Sequence, residues 1–141
     1  MLRSVELKDY MLHDPVTIRA DEDVFEAIHK ILSYKVSGIS VVDEHHNLIG
    51  VLSELDCLKA ILSAVYNETP YAGKVSEYMT KEVISVGLYD NIVDVAQDML
   101  KFKHRRRPVL DDAGKLVGQV SCRRLLRAVK DFAGPIDPSE R

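Results

Sequence analysis

The chain has no tryptophan, only two cysteines, and aromatic side chains at 6% of its 141 positions. Cys57 and Cys122 form neither a disulfide framework nor the paired spacing of a metal site, and a reducing cytoplasm is the default compartment. No run of about 18 apolar residues occurs, so no membrane span is expected. The amino terminus, MLRSVELKDYM, carries acids and lacks the apolar stretch of a secretory leader. A glycine-rich phosphate loop is missing, as is any nucleophile–base arrangement, and both absences argue against an enzyme. His45 and His46 are adjacent on a turn between strands and point apart, so no metal is expected, and nothing calls for a resident cofactor. What remains is 46% apolar and 29% charged residues, the balance of a soluble globular chain long enough to bury a core.

The chain repeats itself once, at a constant offset of 68 residues. Tyr10-Met11 falls on Tyr78-Met79, Leu32 on Leu100, Lys35 on Lys103 and Val41 on Val109. Asp43 then meets Asp111, Gly50 meets Gly118, Ser53 meets Ser121 and Ala60 meets Ala128. A half that cannot bury its apolar face alone commonly does so against its copy, so the repeat predicts one pseudo-symmetric unit with two equivalent clefts.

Each copy reads as strand, helix, strand, strand, helix, preceded by a short amphipathic turn (Val5–Met11; Val75–Met79). The small first strand is Pro15–Ile18 or Val83–Val86. The helix after it begins in an acid-rich stretch, Asp21-Glu22-Asp23 or Asp90-Asn91, where acids favour the positive end of the helix dipole. It aligns Val24, Ala27, Ile28, Ile31 and Leu32, or Ile92, Val95, Ala96, Met99 and Leu100, on one face. Two strands follow around a turn (Ile39–Val42 and Leu48–Leu52; Pro108–Leu110 and Leu116–Val120), and a second helix closes each copy (Glu54–Ala64; Cys122–Phe132). The expected organisation is a first copy at 5–64, a linker at 65–73, a second copy at 74–132 and a frayed tail at 133–141. The fold class is α/β (α+β), small sheets packed on helices.

Charge is divided unevenly. Residues 1–72 carry six Lys/Arg against twelve Asp/Glu, whereas residues 73–141 carry thirteen against ten. The excess sits in Lys101-Phe-Lys103-His-Arg105-Arg-Arg107 and in Arg123, Arg124 and Arg127. A basic run enclosing an aromatic is a feature of some single-strand nucleic-acid binders. The net charge of −3, and the alignment of Phe102 with Tyr34 at a helix end, argue against that reading.

The strings GISVVDEHHNLIGVLSELD at 38–56 and RPVLDDAGKLVGQVSCRR at 107–124, each preceded by a Tyr-Met start, resemble the cystathionine-β-synthase (CBS) domain. Two in tandem resemble a Bateman module, and the likeness covers roughly residues 5–130. It implies a non-catalytic regulatory module, with adenosine ligands (AMP, ADP, ATP or S-adenosylmethionine) in clefts between the copies. It also implies an unknown regulated protein and pairing into a homodimer through helix faces. Those faces would draw on Leu55, Leu58, Ile61, Leu62 and Val65, and on Leu125, Leu126 and Val129. The alternative is a ligand-free interaction module.

The resemblance implies that Asp56 of Ser53-Glu-Leu-Asp56 holds the ribose. A carboxylate can accept from both adjacent hydroxyls, and Ser53 can cap the helix or meet a phosphate. It places Ser37, Gly38 and Ile39 near sugar and phosphates, and Lys81, Val83 and His104 on the adenine side. Arg105 and Arg106 are candidate phosphate ligands, since guanidinium suits phosphate; Arg107, flanking Pro108, reads as structural. The second copy departs from the pattern: Ser121-Cys-Arg-Arg124 puts an arginine, with five donors and no acceptor, where the aspartate belongs. One adenosine site per chain is expected, with the Arg124 cleft empty, blocked or open to an anion.

Overall fold

The computed structural model describes residues 4–132, so the expected tail at 133–141 lies outside the described residues. The elements in chain order are β1 (Leu12–His13), β2 (Thr17–Arg19), α1 (Val24–Tyr34), β3 (Gly38–Val42), β4 (Leu48–Ser53), α2 (Glu54–Tyr66), α3 (Val75–Tyr78), β5 (Val86–Gly87), α4 (Ile92–Phe102), β6 (Arg106–Leu110), β7 (Leu116–Ser121) and α5 (Cys122–Phe132). A 3-10 turn at Leu7–Asp9 precedes β1.

The two copies use the same local chemistry. Asp23 caps α1 by accepting from the Phe25 N–H at 2.8 Å, and Asn91 caps α4 by accepting from the Val93 N–H at 2.8 Å. Such caps satisfy one of the orphan donors at a helix start. Both helices end on a lysine in the left-handed region, Lys35 (φ 54°) and Lys103 (φ 58°), whose N–H groups close the last turn. Burial is narrower than the periodicity predicts. Val24, Ala27 and Ile31 of α1, and Ile92, Val95 and Met99 of α4, are buried, but Leu32 and Leu100 are exposed. Three positions at i, i+3 and i+7 already fill the stripe that a small sheet can cover.

The packing divides the chain into two compact units, residues 15–83 with 114–116, and residues 4–14, 84–113 and 117–132. The first holds a three-stranded sheet in the order β2-β3-β4, β2 parallel to β3 and β3 antiparallel to β4. Its core is built from Ile18, Val24, Ala27, Ile31, Ile39, Val41, Leu52, Ala60 and Val75. The second holds a four-stranded sheet, β1-β7-β6-β5, over a core that includes Leu7, Met11, Val95, Met99, Val109 and Val120. Each leading turn therefore serves the unit that contains the other copy's sheet: Leu7 and Met11 in the second unit, Val75 and Met79 in the first.

The repeated Tyr-Met and Gly identities have one cause. Leu12 pairs with Gln119 in the second unit, and Thr80 bridges Val51 in the first, positions 68 apart in both members. That pairing seats each methionine over a strand glycine. A Cβ at Gly50 would lie 2.8 Å from Met79 Sδ and 2.9 Å from the Thr80 carbonyl oxygen; at Gly118 it would lie 2.6 Å from Met11 Sδ and 2.8 Å from the Leu12 carbonyl oxygen. The tyrosines anchor the same turns, Tyr10 donating to the Ser4 carbonyl (2.7 Å) and Tyr78 to the Ala72 carbonyl (2.8 Å).

Candidate functional site

Ser37 precedes β3 and Gly38 and Ile39 open it, while Ser53 ends β4 and caps α2. Gly38 pairs with Ser53 across the β3–β4 register, and the Glu54 N–H donates to the Ser37 carbonyl at 3.0 Å. The structure thus brings these residues together with Asp56, one turn into α2. Ser53 Oγ accepts from the Asp56 N–H (3.1 Å), and Asp56 Oδ2 accepts from the Ser53 N–H (2.9 Å), a reciprocal capping box. The second oxygen, Oδ1, makes no hydrogen bond among the described residues, and the side chain is half-buried. Asp56 therefore has a structural duty and a spare charged acceptor together. Ile39 turns its side chain into the core, at 3% exposure, and has only its main chain to offer a ligand.

Position 124 keeps half of this arrangement. The Arg124 N–H donates to Ser121 Oγ at 3.2 Å, and the Cys122 N–H donates to the Arg105 carbonyl at 2.9 Å, matching the Asp56 and Glu54 bonds. The return bond is lost because guanidinium cannot accept. Instead Arg124 Nη1 donates to the Met11 carbonyl at 3.4 Å, within its own unit. The backbone geometry of the site has survived here without its carboxylate.

Lys81 and Val83 belong to the same compact unit as Asp56 and follow Thr80, which bridges Val51 two residues before Ser53. Lys81 is exposed and Val83 half-buried. His104, Arg105 and Arg106 belong to the other unit. Arg105 is exposed and Arg106 half-buried, but His104 is engaged: its Nδ1 accepts from Arg107 Nε at 3.3 Å, and its ring centroid lies 5.7 Å from that of Phe102.

Other reactive groups are inert or structural. Burial, then the nearby Asp56 and Glu54 carboxylates, push the Cys57 thiol up, away from the thiolate. Asp43 organises the β3–β4 turn, accepting from the His45 N–H, the Asn47 N–H and the Asn47 side-chain amide at 2.8–2.9 Å. The Asn47 side-chain bond, foremost among these, holds its carboxyl down at about 2. Among the described residues no group of three His, Cys, Asp or Glu side chains could hold a metal. No helix there is long and apolar enough to cross a membrane.

A duplicated strand-helix-strand-strand-helix unit, with a Ser-capped second helix in each copy, defines a class of paired α/β modules. The model of the CBS domain family matches residues 7–63 and 75–131, and the chain belongs to that family as a tandem pair. It is 34% identical over 121 residues to the inosine-5'-monophosphate dehydrogenase of Aquifex aeolicus, an alignment covering 85% of this chain and 24% of the dehydrogenase. It is 29% identical to the uncharacterized protein MJ1225 of Methanocaldococcus jannaschii, covering 82% of this chain and 39% of that protein. The chain thus spans less than half the length of either relative.

Among solved structures, Arabidopsis thaliana CBSX2 in complex with AMP superposes with a TM-score of 0.82 at 27% identity, covering 92% of this chain and 99% of that one. The CBS domain pair of protein MJ0100, in complex with 5'-methylthioadenosine and S-adenosyl-L-methionine, gives 0.74 at 26%, with 92% and 96% covered. The expected fold class holds, a mixed α+β tandem CBS pair.

Proposed function

We propose that this chain is a regulatory sensor module that binds one adenosine-containing ligand (AMP, ADP, ATP or S-adenosylmethionine) through Asp56 and performs no chemistry itself. One observation carries the reading. Asp56 keeps a free charged oxygen beside Ser53 and the Ser37–Ile39 main chain, while its repeat equivalent is an arginine. A carboxylate oxygen with open lone pairs accepts ribose hydroxyl protons, and a guanidinium accepts none. The AMP bound by CBSX2 and the adenosine ligands bound by the MJ0100 pair support the ligand class.

In this reading Ser53 and the main chain at Ser37, Gly38 and Ile39 meet the sugar and phosphates, and Lys81 and Val83 the adenine side. Of the remaining candidates, His104 is already committed to Arg107. The ligand is a regulatory signal, so no resident cofactor is involved, and the site of action is the cytoplasm. The regulated protein is a separate polypeptide or a further segment, as the partial coverage of the dehydrogenase suggests.

The working form is a homodimer. Helix α2 buries its small residues, Cys57, Ala60 and Ala64, and leaves Leu55 (74% exposed), Leu58, Leu62, Val65 and Tyr66 (90%) on its outer side. An apolar stripe of that length on the outer side of a helix is what a second copy would cover.

A thermal-shift panel of AMP, ADP, ATP and S-adenosylmethionine tests the ligand reading. A ligand at one hundred times its dissociation constant stabilises the folded state by about 2.7 kcal/mol. At least one of the four should raise the melting temperature. No shift with any of them leaves the interaction-module alternative.

A further inference from the structure

Around its capped turn the second copy has changed three positions together. Ser37, Gly38 and Asp56 of the first copy are Arg105, Arg106 and Arg124 in the second, so a net charge of −1 becomes +3. Ser121, the equivalent of Ser53, is unchanged, and it lies in one compact unit with the three arginines. The backbone that gathers them is that of the first copy. The Cys122 N–H donates to the Arg105 carbonyl at 2.9 Å, and the Arg124 N–H donates to Ser121 Oγ at 3.2 Å. Strands β6 and β7 are neighbours as β3 and β4 are, and Gly38 pairs with Ser53, so Arg106 stands opposite Ser121. Side chains opposite one another on paired strands share a face.

These guanidiniums are not committed to the fold. None of the three has a carboxylate partner among the described residues, in contrast to Arg107 with Asp98. Arg106 is half-buried, and its guanidinium makes no hydrogen bond among the described residues. A charge drawn partly out of water without a partner is costly. Arg124 uses one of its donors, on the Met11 carbonyl at 3.4 Å. Ser121 Oγ accepts from the Arg124 N–H and keeps its own hydroxyl proton to donate. The Arg123 N–H, in the first turn of the 11-residue α5, has no intrahelical acceptor. The side chains at this turn therefore present donors and positive charge. A single carboxylate brings one charge and two oxygens, too few for three guanidiniums. One phosphate group carries about −1.5 to −2 near neutral pH, so two linked groups match the +3 and bring enough oxygens for every donor.

We propose that Arg105, Arg106 and Arg124 form a binding site for a diphosphate group, with the Ser121 hydroxyl and the Arg123 N–H completing its oxygen contacts. Arg105 and Arg106 thus serve their own unit. The test is an NMR titration of the full chain at physiological ionic strength, read at the Ser121 and Arg123 amides and at Arg124 Nε–Hε. Pyrophosphate should shift these signals saturably. Citrate, a carboxylate anion of similar charge, should bind at least about tenfold more weakly. In an Asp56→Asn chain pyrophosphate binding should be unaltered, which keeps this site's fate separate from that of the adenosine site. ADP given to the same variant tells the two sources of a diphosphate apart. Shifts matching those of pyrophosphate assign the site to the diphosphate of a nucleotide, and their absence assigns it to the free anion.

Arg106→Gln and Arg124→Gln should each weaken pyrophosphate by about tenfold to a hundredfold, without lowering the melting temperature of the anion-free chain. Lys130→Gln, at an exposed position further along α5, removes the same charge outside the site and should leave the affinity unchanged within about twofold. No saturable shift with pyrophosphate, an equal response to citrate, binding lost in Asp56→Asn, or an equal loss in Lys130→Gln and Arg124→Gln would overturn the proposal. In that case the arginines are a solvated basic edge.

Discussion

Lys35 and Lys103 each end a helix in the left-handed region, where a Cβ crowds the following carbonyl at a cost of roughly 1–2 kcal/mol. Glycine avoids that crowding and is the usual residue there. Lys35→Gly and Lys103→Gly should each stabilise the fold by roughly 0.5–1 kcal/mol, read as a higher urea midpoint. An unchanged midpoint would mean that the lysine stems contribute packing of equal size. The repeat made these lysines visible as identities, but backbone conformation was needed to give the reason. Asp43 is a second case. Its carboxyl lies at about 2 in the folded chain, below the ordinary aspartate value of about 3.9. The unfolded chain therefore binds the proton first. The contribution of Asp43 is complete above about pH 4 and is lost as pH falls toward 2. Asp43→Asn should flatten that part of the urea midpoint against pH curve; an acid limb identical to wild type would contradict the assignment. Arg107 reads as structural from its place beside Pro108, but its burial was not legible, because only the fold places an arginine at a core position.

At the scale of elements, the hydrophobic period located all four long helices and the central strand pairs. It missed β1 and placed the first strands poorly. Two- and three-residue edge strands such as β5 and β2 carry too few alternating positions to register. It also overextended the buried face to Leu32 and Leu100. The exchange of leading turns was hidden for a different reason: the partner of Met11 lies more than a hundred residues along the chain, at Gly118. Gly118→Ala tests that contact. A methyl group there meets a backbone carbonyl oxygen as well as a flexible methionine, so the loss should be about 1–3 kcal/mol, and Met11→Ala should not rescue it fully. Full rescue by Met11→Ala would show that the carbonyl is not a constraint. The Ser-x-x-Asp signature was readable as a candidate ligand site, but the capping box was not separable from it in sequence. The structure shows that one carboxylate oxygen serves the helix while the other stays free.

For the whole molecule, two properties follow from asymmetry, one between the faces of α2 and one between the copies. The exposed leucines of α2 should make the chain dimeric, and Leu58→Glu with Leu62→Glu should give a monomer mass in light scattering. A monomeric wild type at micromolar concentration would contradict the dimer. The asymmetry between Asp56 and Arg124 is the central claim, and it was legible because the repeat supplies its own reference. Calorimetric titration of the wild-type chain with AMP and with 2'-deoxy-AMP tests it most directly, with whichever adenosine ligand gave the largest thermal shift substituted if that is not AMP. A hydrogen bond to a charged acceptor contributes about 1.5–3 kcal/mol, so the deoxy analogue should bind roughly tenfold to a hundredfold more weakly. Stoichiometry should be one per chain, and Asp56→Asn, which keeps an oxygen for the helix cap, should lose the discrimination between the two nucleotides. Two equal sites per chain, or equal affinity for the two nucleotides in the wild type, would contradict a ribose clamp at Asp56.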